Sequence, residues 1–223
     1  MRTWVELRDQ IRRSILKDTD PDVSKRQWSD DTLRDGMWWA LNALCAHTAY
    51  ATATAYVCDG TTTTYTLPSN VFTPLEDGGM VYLDDGTNLV HLNPVFNTNG
   101  VSPIDGSGFY TWNDQLTITA TTASGETLRV RFFAYYPLPI YDNDLVMVPH
   151  WAEAAVCYLA AAHALEGSAQ RRAKIAQWGQ KPDLGDTEDN PFRVQVDMLL
   201  KMYQTEINRH PQQKRANFFR ASL

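Results

Sequence analysis

Between Asp35 and Leu128 the chain has no lysine or arginine, while nine acids fall in the same 94 residues. Such a stretch cannot grip phosphate through salt bridges, although nucleic acid can pass near it without sticking. Cysteine is scarce: Cys45, Cys58 and Cys157 are odd in number and widely spaced, with no Cys-x-x-Cys pair. That excludes a disulfide framework and a zinc knuckle and leaves buried thiols. Long apolar runs are missing as well, with nothing near the roughly 18 residues of a membrane span. Arg2-Thr3-Trp4 follow Met1 where an export leader would be apolar, so the expectation is a protein made and used inside a cell.

What is present is enough for a folded core. The 223 residues are 43% hydrophobic and 11% aromatic, which excludes disorder over the whole length and suits one large or two small domains. Net charge is -6, unevenly placed: Met1 to Arg34 carries 8 basic and 7 acidic residues, and Arg129 to Leu223 carries 12 and 10. The acidity therefore sits in the middle third, which argues against a general DNA-coating protein.

The outer thirds read as helices. Thr3 and Glu6 have the spacing of a capping box, followed by the stripe Trp4, Leu7, Ile11, Ile15, with Arg8, Asp9, Arg12 and Arg13 on a charged opposite face. Ser29 is placed to cap a second helix, with Asp30 and Asp31 in its first turn and Trp28 positioned to staple Leu33. Its apolar residues, Met37, Trp38, Trp39, Leu41 and Leu44, wrap more than one face. After Val148-Pro149 comes an Ala-rich helix through Trp151, Ala155, Tyr158, Leu159 and Ala162, which Gly167 is expected to stop. A further short helix is expected over Ser168 to Gly179, then a last one capped by Asn190, opened by Pro191 and striped by Phe192, Val196, Leu199, Tyr203 and Ile207. Between these blocks the period drops to two. Strands are expected at 54–57, 65–67, 80–83, 89–92, 109–112, 116–119 and 127–136, the last alternating Leu128, Val130 and Phe132 with Arg129 and Arg131. Asp84-Asp85-Gly86-Thr87 reads as a hairpin turn.

The expected fold is therefore α+β: a helical bundle from 1–50 and 149–209, an inserted antiparallel β-domain over 51–148, and a tail over 210–223. Helices on either side of the strands bury their stripes most readily against one another.

Reactive constellations are absent from the pattern. There is no nucleophile elbow, phosphate loop, dinucleotide fingerprint or His-Glu-x-x-His. Asp105-Gly106-Ser107-Gly108 reads as a turn. His150 with Glu153, and His163 with Glu166, can meet at i,i+3, but two ligands do not make a site. Asp142-Asn143-Asp144 and the group Asp183, Asp186, Glu188, Asp189 lack the spacing of a calcium loop. No enzyme activity, cofactor or metal is expected. Apolar stripes at helical spacing point instead to core or subunit contacts, with Trp38, Trp39, Trp151 and Trp178 as interface candidates, and Asp84 and Asp85 as acidic loop candidates of the β-domain. The tail joins Lys214, Arg215 and Arg220 to Phe218 and Phe219 with no acid, the composition of an arm that docks in a groove with an acidic rim.

Trp28-Ser29-Asp30-Asp31 with the Leu33, Leu41 and Leu44 helix, the Tyr65-Thr66-Leu67-Pro68 strand end and the Leu128 to Tyr136 strand form the first part of a familiar layout. The Pro137-Leu138-Pro139 turn, the Val148-Pro149 Ala-rich helix and the capped terminal helix complete it. Taken in order, it resembles head-to-tail adaptor proteins of tailed bacteriophages. The resemblance implies a virion protein of the neck, assembled in the host cytoplasm: a homo-oligomeric, dodecameric ring under the portal protein, meeting the tail or next neck protein. It implies a C-terminal segment, here Lys214, Arg215, Phe218, Phe219 and Arg220, that reaches the portal, and a channel through which genomic DNA passes without sequence-specific binding or membrane contact, with Asp84 and Asp85 as candidates for its acidic lumen. The Thr-rich, aromatic middle keeps a β-type carbohydrate or receptor-binding module open as an alternative, and a hydrolase would need carboxylates that converge.

Overall fold

The computed structural model describes residues 1–73, 75, 79–95, 108–178 and 191–210, with backbone alone for 168–178 and 191. The described residues are mixed α and β, with four α-helices and a mostly antiparallel seven-stranded sheet, in two compact units. Met1–Thr48 and the described part of 136–212 make one unit; Ala49–Tyr135 make the other.

In the helical unit a short strand, β1 (Arg2–Thr3), leads into α1 (Trp4–Gln10). The capping box forms as its residues dictate: Glu6 N–H donates to Thr3 Oγ1 at 3.4 Å and Thr3 N–H donates to Glu6 Oε2 at 2.8 Å. The helix then widens into a π-helical turn over Ile11–Leu16 and ends at Lys17, whose φ of 56° is left-handed. A π turn holds an extra residue, so the stripe leaving α1 is displaced. Ile11 stays buried, Ile15 is only half-buried, and Arg12 turns inside with 3% exposure. The charged outer face expected at Arg8 and Arg12 is thus a buried ion cluster instead. Arg12 donates to Asp18 (2.5 Å), Asp30 (2.6 Å) and the Trp28 carbonyl (2.8 Å), while Arg8 bridges Asp30 (3.0 Å) and Asp142 (2.9 Å).

Helix α2 (Asp30–Cys45) starts where Ser29 Oγ accepts from Thr32 N–H. It buries Leu33, Gly36, Met37, Ala40, Leu41 and Leu44. Helix α3 (Ala152–Trp178) runs unbroken through Gly167, where a stop was expected. Glycine permits the left-handed cap but does not impose it; inside a helix it costs about 0.5–1 kcal/mol, which flanking Ala, Leu, Glu and Arg residues offset. There is thus one long helix, not two. Helix α4 (Pro191–Arg209) buries Leu199, Tyr203 and Ile207.

These helices touch across the sequence. A Cβ on Gly36 would lie 2.6 Å from the Ala160 carbonyl oxygen, so α2 and α3 approach backbone to backbone. Trp28 Nε1 donates to the Ala164 carbonyl at 3.1 Å, and the His47 ring meets the edge of Tyr203 on α4. The segment after Tyr135, expected in the β-domain, belongs to this unit: β9 (Leu145–Val146) pairs with β1, and the carbonyls of Asp142 and Asp144 receive the first free N–H groups of α1.

The β unit holds β2 (Tyr50–Asp59), β3 (Thr64–Thr66), β4 (Met80–Asp84), β5 (Leu89–Pro94), β6 (Gly108–Trp112), β7 (Gln115–Ile118) and β8 (Ser124–Ala134), in the order β2-β8-β4-β5-β6-β7-β3. The alternation in β8 sets its faces: Leu128, Val130, Phe132 and Ala134 are buried, Arg129 and Arg131 exposed. They pack with Val81, Leu83, Leu92, Phe109, Leu116 and Ile118. The ends of the sheet come together where the Tyr56 hydroxyl donates to the Thr66 carbonyl at 2.6 Å and the Tyr56 and Tyr65 rings lie 5.2 Å apart, so the sheet nearly closes on itself. One pairing departs from the expected antiparallel pattern. β5 and β6 run parallel at Asn93/Gly108 and Pro94/Phe109, which the long connection between them allows.

Candidate interaction surfaces

Several of the described groups able to do chemistry are buried or engaged in packing and pairing. Burial pushes the Cys157 thiol up to about 12 and also raises Cys45, the opposite of what a nucleophile needs. Glu153, at the start of α3, is 6% exposed; its partner at 3.3 Å is His150, so this i,i+3 pair is half inside the protein rather than on open helix surface. His163 packs its ring 5.5 Å from Trp39. Among the described residues no three His, Cys, Asp or Glu side chains are grouped to hold a metal, and no helix is long and apolar enough to cross a membrane.

The aspartates singled out in the sequence hold turns and ion pairs. Asp142 pairs with Arg8, and Asp144 Oδ2 accepts the N–H groups of Ile140 and Tyr141, both at 2.8 Å. Asp84 accepts from Gly86 N–H and pairs with Arg129 at 2.7 Å. Asp85 accepts from Thr87 and Asn88 N–H at 2.7 and 2.6 Å, and the bonds from Asn88, then Thr87, hold its carboxyl below the ordinary aspartate range. These two acids form a hairpin whose Gly86 takes φ 86°. Asp85 is exposed, whereas Asp84 is only partly so, with 19% of its side chain accessible; both are engaged, and Arg129 from just beyond the cation-free stretch pairs with Asp84. Asp183, Asp186, Glu188, Asp189 and the turn at Asp105–Ser107 lie outside the described residues.

What the helical unit does present is apolar surface. Trp38 is 54% and Trp39 39% exposed on α2, between the buried Gly36-Met37 and Ala40-Leu41 pairs. On α4, Val194, Met198 and Met202 recur every four residues on a face away from the buried Leu199, Tyr203 and Ile207. The loop before β9 adds exposed Ile140 and Tyr141. Trp151 is half-buried and already stacked on His210, with ring centroids 4.5 Å apart. The backbone of Trp178 lies in α3, but its side chain is outside the described residues, as are Lys214, Arg215, Phe218, Phe219 and Arg220 of the tail. The α4 stripe was not singled out in the sequence, although Val194, Met198 and Met202 stand at an i,i+4 spacing that reveals it.

Comparison with models of known protein families finds no match, and neither does comparison with curated protein sequences.

Proposed function

We propose that this chain is a structural head-to-tail adaptor of a tailed bacteriophage, a non-enzymatic subunit that forms a ring under the portal protein and joins the DNA-filled head to the tail. In this reading the helices from the two ends of the chain form one bundle, with the β-domain inserted between them. The observation that carries it is the pair of unlike apolar patches on the helical unit, Trp38 with Trp39 on α2 and Val194, Met198 and Met202 on α4. A ring requires a heterologous contact, one patch of each subunit against a different patch of the next, repeated until it closes. Two separate patches on rigid helices suit that geometry, and a self-matching patch would not.

The acidic middle of the chain fits a channel that passes a polyanion without retaining it. The tail supplies the portal contact, Phe218 and Phe219 filling a groove while Lys214, Arg215 and Arg220 pair with an acidic rim. Deleting Lys214 to Leu223 should abolish binding to purified portal rings in a pull-down while leaving the circular dichroism of the chain unchanged; full retention of binding would contradict the role of the arm. The carbohydrate-binding alternative draws on Trp112, 73% exposed beside the β6–β7 turn, and predicts saturable binding on a glycan array that Trp112→Ala removes.

A further inference from the structure

The two edges of the β sheet are built differently. β3 ends one edge with three residues, and Pro68 follows close behind; short strands and proline are ordinary ways to blunt an edge. β2 ends the other edge with ten. From Tyr50 to Cys58 it has no charge, proline or glycine, and its one irregularity lies between Val57 and Asp59. The Tyr56 end leans on β3 through the bond to Thr66, but among the described residues no strand pairs with the outer side of Ala51–Ala55. Burial agrees. Thr52 and Thr54 share the inward side with Tyr50 and Tyr56, yet are only half-buried, whereas the inward Val130 and Phe132 of the neighbouring strand are 0% and 4% exposed.

This edge also reads the same in both directions: Tyr50-Ala51-Thr52-Ala53-Thr54-Ala55-Tyr56, centred on Ala53. A second copy laid antiparallel about a two-fold axis at Ala53 therefore meets like with like. Ala53 faces the partner's Ala53, Thr52 faces the partner's Thr54, Ala51 faces the partner's Ala55, and Tyr50 faces the partner's Tyr56. Thr–Thr and aromatic pairs stabilise such ladders, and no like charges oppose. Ala51, Ala53 and Ala55, all exposed, keep the outer face clear of bulk. A slip of one residue would set the core face of one copy beside the solvent face of the other, and a slip of two would set a tyrosine opposite a threonine and break the match of like with like.

We infer that β2 is a self-pairing edge, through which two copies of this chain join their sheets antiparallel, in register about Ala53. A two-fold contact closes at two copies, so it is distinct from a contact that repeats round a ring and describes the chain before assembly. The inference rests on the sheet alone and stands or falls separately from the adaptor reading.

The test is cysteine cross-linking in the full-length chain. The native Cys45, Cys58 and Cys157 are buried and supply little background. Directly opposed residues of an antiparallel pair have Cα atoms about 4.5–5.5 Å apart, inside the range a disulfide spans. Position 51 lies four residues along the strand from its own counterpart, roughly 13 Å. In oxidised glutathione, Ala53→Cys should form covalent dimers about tenfold faster than Ala51→Cys or Ala55→Cys. A mixture of the Ala51→Cys and Ala55→Cys proteins should cross-link faster than either alone. Equal rates at the three positions, a slower rate at 53, or no dimer at 53 in a variant with unchanged circular dichroism would overturn the inference.

Discussion

Arg12 shows how one side chain can organise a region in a way its neighbours in sequence do not announce. It is buried, and three acceptors converge on it from a loop and a helix start: Asp18, Asp30 and the Trp28 carbonyl. Removing one partner of a buried ion cluster leaves an uncompensated charge inside, which costs about 3–5 kcal/mol. Arg12→Met should therefore lower the unfolding free energy of the helical unit by that order in denaturant titrations followed by tryptophan fluorescence; Arg13→Met, on an exposed side chain, should change it little. The cluster also sets a pH limb. Burial raises the Asp30 carboxyl, but the hydrogen bond from Arg12 and the charges of Arg8 and Arg12 outweigh it and hold the group below the ordinary aspartate range. A carboxyl lowered in the folded state stabilises above its unfolded value, near about pH 3.9, and that stabilisation is lost as pH falls through the folded value. Acid unfolding should begin below about pH 4 and lose this component in Arg12→Met.

At the scale of elements, local rules carried well where the physics is local. The Thr3 and Ser29 caps, the alternation of Leu128, Val130 and Phe132, and the Asp85-Gly86 hairpin could all be read from neighbouring residues, because each is decided within a few positions. The misses are decided at a distance. Pairing of β1 with β9 joins residues more than 140 positions apart, and the parallel β5–β6 junction depends on the path of a long connection. The continuity of α3 through Gly167 reflects the helix formers around it more than the glycine itself. Gly36 is itself a signal in the sequence, since a glycine inside a strong helix needs a reason. Here the reason is the Ala160 carbonyl, 2.6 Å from where a Cβ would stand. Gly36→Ala sets a helix-propensity gain of about 1 kcal/mol against a backbone clash. The clash should win, with a net loss of about 1–3 kcal/mol in thermal or denaturant unfolding.

On the scale of the whole molecule, the order helix, strand, helix was legible because periodicity changes sharply near Ala51 and again after Tyr136. That α2 carries more apolar residues than one buried face holds, Trp38 and Trp39 among them, was legible, whereas the turn-holding roles of Asp84 and Asp85 were not, since composition shows charge without showing what the charge holds. The acidity of the middle third is thus a property of the segment, and replacing those two residues with lysine would disturb a hairpin as well as a field. On the proposed reading, the unlike apolar patches of α2 and α4 predict repeated heterologous association of identical copies. The most direct measurement is the native mass of the full-length chain by mass photometry, alone and with purified portal rings. The adaptor account predicts a closed multi-copy ring bound to the portal, lost when Trp38 and Met198 are both replaced by lysine. A chain that adds no mass to the portal, and never exceeds the two copies that β2 pairing allows, would contradict it.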